Sequence, residues 1–355
     1  MHGTVCDDCT HYEKVETRIL IIKLGAIGDV LRTTCILHGL KEKYPRSEIS
    51  WITRGESSFL FENNELVDSV YSYESTEALF FVMSRDFDVV INLDVDPDSA
   101  ALAESCKGRS KLGYGLDRKG DIFPYNKEAI PWLEMGAFDQ NKKANTRSYQ
   151  DLMLDICGLA GAGKEIVLNL SEVEQEFAKT FAAEHSLSVG TTKVGLNTGA
   201  GPRWQYKKWT LEGFEALIKI LLQKTDATII LYGGPFEKER NEYLRGLAPE
   251  RIVDTGTANS LRQFFSLILL SDLFITGDTM ALHAAVALKR KVLATFGPTS
   301  AAEIDSYGGR VIKVQADLPC LVCYKPRCDF EPNCMNSISP ERIFSIIQPL
   351  LVGHG

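Results

Sequence analysis

Nowhere in this 355-residue chain does an apolar run reach the length that a bilayer requires. The most hydrophobic late stretch, residues 264–276, is broken by Ser266, Ser271 and Asp272 and is too short to span. Basic charge is not in excess: Lys plus Arg number 39 against 47 for Asp plus Glu, a net charge of -8, which disfavours a general nucleic-acid binder. The opening residues, Met1-His-Gly-Thr-Val-Cys-Asp-Asp-Cys9, lack the basic-then-apolar layout of a signal peptide, so a cytoplasmic protein is expected. No short repeat or low-complexity segment is present. The dinucleotide fingerprint G-x-G-x-x-G is also missing, because Gly25-Ala-Ile-Gly28 supplies only G-x-x-G, and an NAD enzyme is disfavoured.

What is present is an alternation of strand and helix patterns across a length that suits two domains of roughly 150 residues each. Strands are expected at 18–23, 48–53, 69–73, 88–93 and 111–114, and helices at 29–43, 75–84 and 146–158. A loop-rich stretch follows from 117 to 145. A second series places strands at 193–197, 227–232, 251–254, 273–276, 291–296 and 310–314. Its helices are expected near 210–223, 236–247, 260–270, 280–288 and 340–351, after a polar helix at 171–184. Repetition of this kind argues for doubly wound parallel sheets, hence an α/β chain of two Rossmann-like domains. The boundaries expected are 1–187, 188–338 and a terminal helix 339–355.

Two strand ends stand out. In Ile19-Leu-Ile-Ile-Lys-Leu-Gly25-Ala-Ile-Gly28-Asp29-Val-Leu-Arg32 an apolar run meets a glycine turn and then a helical pattern. Leu273-Phe-Ile-Thr-Gly-Asp278-Thr279-Met-Ala-Leu-His283 repeats the design. Such turns fall at the carboxyl edge of a parallel sheet, where open α/β folds bind ligands. Taken alone, Asp29 is equally an N-cap carboxylate or a general base at a cleft floor. Asn197-Thr-Gly199-Ala-Gly201-Pro-Arg203-Trp-Gln-Tyr-Lys207-Lys208-Trp209 joins glycines and cations before a helix, a natural anion site, or else a solvated basic loop. Tyr232-Gly233-Gly234-Pro235-Phe236-Glu237 is a further glycine turn able to seat a nucleoside. His283, at i+4 from Thr279, shares its helix face.

On these residues, together with Phe296-Gly297-Pro298-Thr299, the chain resembles glycosyltransferase family 9, the ADP-heptose:lipopolysaccharide heptosyltransferases, over nearly its whole length. The resemblance implies a GT-B fold with two domains facing a cleft. It implies inverting transfer of heptose from ADP-L-glycero-D-manno-heptose to a lipid-linked lipopolysaccharide inner-core acceptor at the cytoplasmic face of the inner membrane. Asp29 would be the general base and Lys207 and Thr279 phosphate contacts. His283 would lie near the pyrophosphate, with Asp278, Gly199 and Gly233 lining the donor side and Glu237 near the adenosine. The sequence departs from the family at Met280, where Gly is usual, and at Thr210 and Cys35, where Pro is usual. Departing ADP could be stabilised by Lys207, the Thr279 hydroxyl and helix N-termini, so no catalytic cofactor or metal is required.

Basic residues of the 117–147 region, Arg118, Lys119, Lys142, Lys143 and Arg147, are expected to contact acceptor phosphates or carboxylates, or simply to be solvated. Asp94-x-Asp96-x-Asp98 has the form of a GT-A metal site, but turn and N-cap carboxylates are the favoured reading. Cys320-x-x-Cys323-x4-Cys328-x5-Cys334 offers four thiols to one tetrahedral ion, and iron and zinc are both admissible. Related autotransporter heptosyltransferases carry a cysteine-bound iron there. Cys6 and Cys9 form a second, shorter pair. The alternatives weighed are protein O-heptosylation and a non-catalytic nucleotide-sugar-binding module.

Overall fold

The structure, a computed structural model, describes residues 14–187, 190–201 and 205–351. The chain forms two compact units that are discontinuous in sequence. The first comprises residues up to Ala26, Thr33–Gly136 and Asp151–Lys164; the second comprises Ile27–Arg32, Ala137–Gln150 and the residues from Glu165 on.

The first unit holds a sheet of β1 (Thr17–Ile22), β2 (Ser47–Thr53), β3 (Ser69–Ser72), β4 (Asp86–Asn92), β5 (Lys107–Leu116) and β6 (Ile122–Pro124). Its order is β3-β2-β1-β4-β5-β6, parallel except for the β5–β6 hairpin. Ile19 to Ile22 are fully buried, as expected of a central parallel strand covered on both faces. One side packs Leu20, Ile22, Phe81, Val82, Phe87 and Val90 into a common core.

The second unit repeats the plan with β7 (Lys193–Asn197), β8 (Thr228–Tyr232), β9 (Ile252–Asp254), β10 (Leu273–Gly277), β11 (Lys291–Phe296) and β12 (Val311–Gln315). The order β12-β11-β10-β7-β8-β9 is parallel throughout, so both sheets have the doubly wound arrangement. The helix Leu211–Lys224 buries Phe214, Leu217, Ile218 and Leu221, an i, i+3, i+4, i+7 stripe against the sheet. Thr210 caps that helix by accepting from the Gly213 amide at 3.0 Å, which accounts for a Thr where a Pro would also start a helix. The terminal helix Pro340–Leu351 packs against it through Ile343, Phe344 and Ile347.

Three expectations change. The helix expected at 29–43 is two, Ile27–Thr33 and Ile36–Lys43, broken by a turn at Thr34 and Cys35. The strand expected at 111–114 runs from Lys107 to Leu116. The stretch expected to be loop-rich contains β6 and the helices Ile130–Ala137 and Asp139–Ala144. Elements this short show too few periods to separate from a loop by pattern. The β5–β6 turn is closed by Asp117, whose carboxylate accepts from the amides of Lys119 and Asp121.

Candidate active site

In a doubly wound sheet the crevice for ligands opens where the strand order reverses, between β1 and β4 in one unit and between β7 and β10 in the other. The first of these positions is filled by the protein itself. Asp94, just after β4 and 7% exposed, accepts from the Leu24 and Gly25 amides and pairs with the Lys23 ammonium. Asp96 caps the helix Pro97–Ser105 through the Asp98 and Ser99 amides, and Asp98 pairs with Arg54. The Asp-x-Asp-x-Asp run is therefore a set of turn and cap carboxylates.

At the second position the side chains form a polar cluster. Asn197, ending β7, donates to the Thr276 hydroxyl at 2.9 Å and reaches the Thr279 hydroxyl at 3.5 Å. Thr279 is the N-cap residue of the helix Met280–Ala287, yet its hydroxyl makes no capping bond and faces Thr276 and Asn197 instead. Gly277 is required by packing: a Cβ there would lie 2.0 Å from the Lys207 carbonyl oxygen. That close approach seats Lys207 on the strand end, where its ammonium donates to Asp278 at 2.9 Å. Trp209 anchors the same segment in the core, donating from its indole to the Ile338 carbonyl.

Burial disfavours the Asp278 anion, but Lys207 and His283 outweigh it and hold the carboxyl down at about 2. His283 is 6% exposed; burial and the Arg32 charge push its pKa down to about 4, so the imidazole is neutral at physiological pH. A Cβ on Gly28 would come within 3.3 Å of the His283 ring and of the Met280 backbone, so the turn preceding Asp29 packs directly on the start of this helix.

Asp29 lies in the first turn of Ile27–Thr33 with its side chain 41% exposed and bonded to Arg32 Nη2 at 2.8 Å. Arg32 was not expected to matter, although its i+3 spacing from Asp29 is the available signal. It is nearly buried, stacks on the Tyr149 ring at 3.7 Å and reaches Glu303 at 3.8 Å. Burial opposes its charge, but Asp29, Tyr149, Glu303 and Asp278 together hold the guanidinium above its ordinary range. Glu303 and Tyr324 were likewise missed, and nothing in their sequence neighbourhood marks them.

The second glycine turn is organised around Glu237. This residue is 3% exposed; its carboxylate accepts from the Gly234 amide at 3.1 Å and pairs with Lys208 at 3.4 Å. Gly199 and Gly233 leave room for it, since a Cβ at either would lie 2.7 Å from a Glu237 atom. The structure thus brings Gly199, Gly233, Glu237 and Lys208 together in one cluster, and Lys207, Asp278, Thr279 and His283 in another, with Asp29 on the neighbouring helix whose start packs on His283, all in the second unit. Arg118 and Lys119 are exposed in the β5–β6 turn of the first unit, and Arg147 is exposed in the second. Arg203 lies outside the described residues, as do Cys6 and Cys9.

The cysteine loop follows β12. Cys320, Cys323 and Cys328 are half-buried and Cys334 is buried, its sulfur against Gly297, where a Cβ would meet it at 2.3 Å. Burial and the neighbouring thiols of Cys323, Cys328 and Cys320 push the Cys334 thiol up to about 11. Among the described residues no three His, Cys, Asp or Glu side chains are grouped to hold a metal ion. The four thiols are a soft donor set of suitable kind, but this arrangement does not present them as a ligand shell.

Two doubly wound parallel sheets of this order define an α/β protein of the GT-B type. The chain belongs to glycosyltransferase family 9 (heptosyltransferase), whose model matches residues 81–333. A solved family 9 glycosyltransferase from Veillonella parvula superposes with a TM-score of 0.77 at 18% identity, covering 96% of this chain and 99% of that one. Heptosyltransferase WaaC of E. coli, solved with ADP, gives a TM-score of 0.61 at 20% identity over 94% of this chain and 97% of that one. In sequence, lipooligosaccharide heptosyltransferase 2 of Campylobacter jejuni serotype O:6 is 27% identical over 190 residues. That match takes in 52% of this chain and spans 60% of the relative's length.

Proposed function

We propose that this chain is a glycosyltransferase that moves heptose from ADP-L-glycero-D-manno-heptose to a lipopolysaccharide inner-core acceptor, inverting the anomeric centre. The observation that carries this reading is the half-exposed Asp29 carboxylate in the same unit as the Lys207–Asp278 ion pair and the buried His283 at the sheet's switch point. Asp29 removes the acceptor hydroxyl's proton as the oxygen attacks the sugar. Lys207 and the Thr279 hydroxyl meet the charge that develops on departing ADP, with the N-terminus of Met280–Ala287 adding its dipole. Neutral His283 contributes a donor or acceptor at the pyrophosphate without a second positive charge. The Glu237 turn lies on the adenosine side, and Arg118, Lys119 and Arg147 serve acidic groups of the acceptor. Family membership and the likeness to an ADP-bound relative support this reading.

Asp29→Ala is expected to lower turnover at least a hundredfold while ADP still raises the melting temperature as it does for the wild type. Retained turnover would remove Asp29 from the chemistry. A melting shift with UDP, GDP or CMP instead of ADP would replace the donor.

A lipid-linked acceptor implies peripheral contact with the cytoplasmic membrane face. No helix among the described residues is long and apolar enough to cross a membrane. Leu79, Phe80 and Met83, all more than half exposed on the helix Thr76–Ser84, offer an apolar contact surface, and sedimentation with acceptor-bearing vesicles checks it. The remaining part of the reading is that Cys320, Cys323, Cys328 and Cys334 close around a structural iron or zinc, with no part in the transfer step.

A further inference from the structure

We propose that the cysteine loop positions the catalytic carboxylate, through a relay in which Tyr324 anchors Glu303, Glu303 holds Arg32 and Arg32 aims Asp29. This deepens the reading of Asp29 as general base and rests on it.

The relay is continuous within the second unit. The Tyr324 hydroxyl donates to Glu303 Oε1, Glu303 Oε2 lies 3.8 Å from Arg32 Nη1, and Arg32 Nη2 meets Asp29 Oδ1 at 2.8 Å. Its two middle members are shielded, with 11% of the Arg32 side chain and 13% of the Glu303 side chain exposed. Shielded charges interact more strongly than solvated ones, so the state of Glu303 is felt at Asp29. Stacking on Tyr149 fixes the plane of the guanidinium, leaving its edges to the two carboxylates.

The far end is anchored by backbone. Val322 donates to the Gly297 carbonyl at 3.2 Å and Tyr324 to the Pro298 carbonyl at 2.8 Å. The Ser300 amide donates to the Tyr324 hydroxyl at 3.3 Å, aligning that oxygen. Val322 and Tyr324 adopt φ of +60° and +51°, a region that non-glycine residues seldom enter and β-branched ones least of all. Cys323 lies between them. A loop held in this conformation on both sides of a cysteine transmits any rearrangement of that cysteine to the Tyr324 hydroxyl.

Chemically, Glu303 divides the guanidinium charge between two carboxylates. Without it, Arg32 would turn wholly to Asp29 and weaken it as a base. The charged and titratable groups around Asp29 are Arg32 on its own helix, His283 on Met280–Ala287 and Glu303 on the turn after β11, with Asp278 facing Arg32. Removing the Glu303 charge makes the Asp29 proton easier to lose.

The test follows ADP release from ADP-heptose with an inner-core acceptor as a function of pH, for the 355-residue chain. Glu303→Gln is expected to lower kcat about tenfold with little change in donor KM, and to move the acid limb of the kcat profile to lower pH. Tyr324→Phe, which removes one oxygen, is expected to lower kcat severalfold, and the double variant to do no worse than Glu303→Gln alone. ADP-induced melting shifts equal to the wild type certify folded variants, and Tyr324→Phe carries the test if Glu303→Gln does not fold. Wild-type kcat and pH profile in a folded Tyr324→Phe, beside an inactive Asp29→Ala, would overturn the relay alone. Turnover by Asp29→Ala would overturn the assignment on which the relay rests.

Discussion

His283 shows how a single residue can tie stability to the site. An unfolded histidine takes up a proton below its ordinary 6.5, but the folded one does not until about 4. Between those values the unfolded state binds more protons, so stability is complete above 6.5 and is lost as the pH falls. By pH 5 the loss amounts to about 2 kcal/mol. Asp278, held at about 2, adds its own loss only under much more acid conditions. Melting curves recorded from pH 7 to pH 5 should therefore fall more steeply for the wild type than for His283→Gln. Equal slopes would mean that the imidazole is protonated in the folded chain.

Among the elements, the junction of β10 with the Gln205–Lys207 turn decides where the ammonium lies. Gly277 has no Cβ, and the Lys207 carbonyl occupies that space. Gly277→Ala cannot be absorbed by a flexible side chain, because the colliding atom is backbone. We expect it to destabilise the chain by about 1–3 kcal/mol and to weaken ADP binding by displacing Lys207. Calorimetric titration with ADP would show this, and unchanged affinity would detach Lys207 from the donor. Gly297 plays the corresponding part at the end of β11, where it admits the Cys334 sulfur. Glycines of both turns thus mark approaches of one chain segment to another, in addition to any approach of a ligand.

For the molecule as a whole, the cysteine loop joins three regions of the second unit. Tyr206 reaches the Cys328 carbonyl, Cys334 packs under Gly297, and Tyr324 holds Glu303. A bound ion there should stabilise the unit. On the proposal that the four thiols close around iron or zinc, purified protein contains about one ion per chain and chelation lowers its melting temperature. Metal-free protein with an unchanged melting temperature would leave the loop as four packed thiols. The two-sheet plan, most strands and the helix at Pro340–Leu351 were legible in the sequence, because apolar runs of parallel strands and amphipathic helix stripes depend on neighbouring residues. The places of Asp29 and Asp278, at the turns that follow β1 and β10, were legible too, since the turn at a strand's carboxyl end is a local pattern. The β6 hairpin strand, the break at Thr34 and Cys35 and the short helices after β6 were not, since they hold too few residues to establish a period. Nor were Arg32, Glu303 and Tyr324 recognisable as partners. Residues 32, 303 and 324 meet because the segment Ile27–Arg32 folds into the same unit as the turns that follow β11 and β12, and proximity between segments about 270 residues apart has no local trace in the chain.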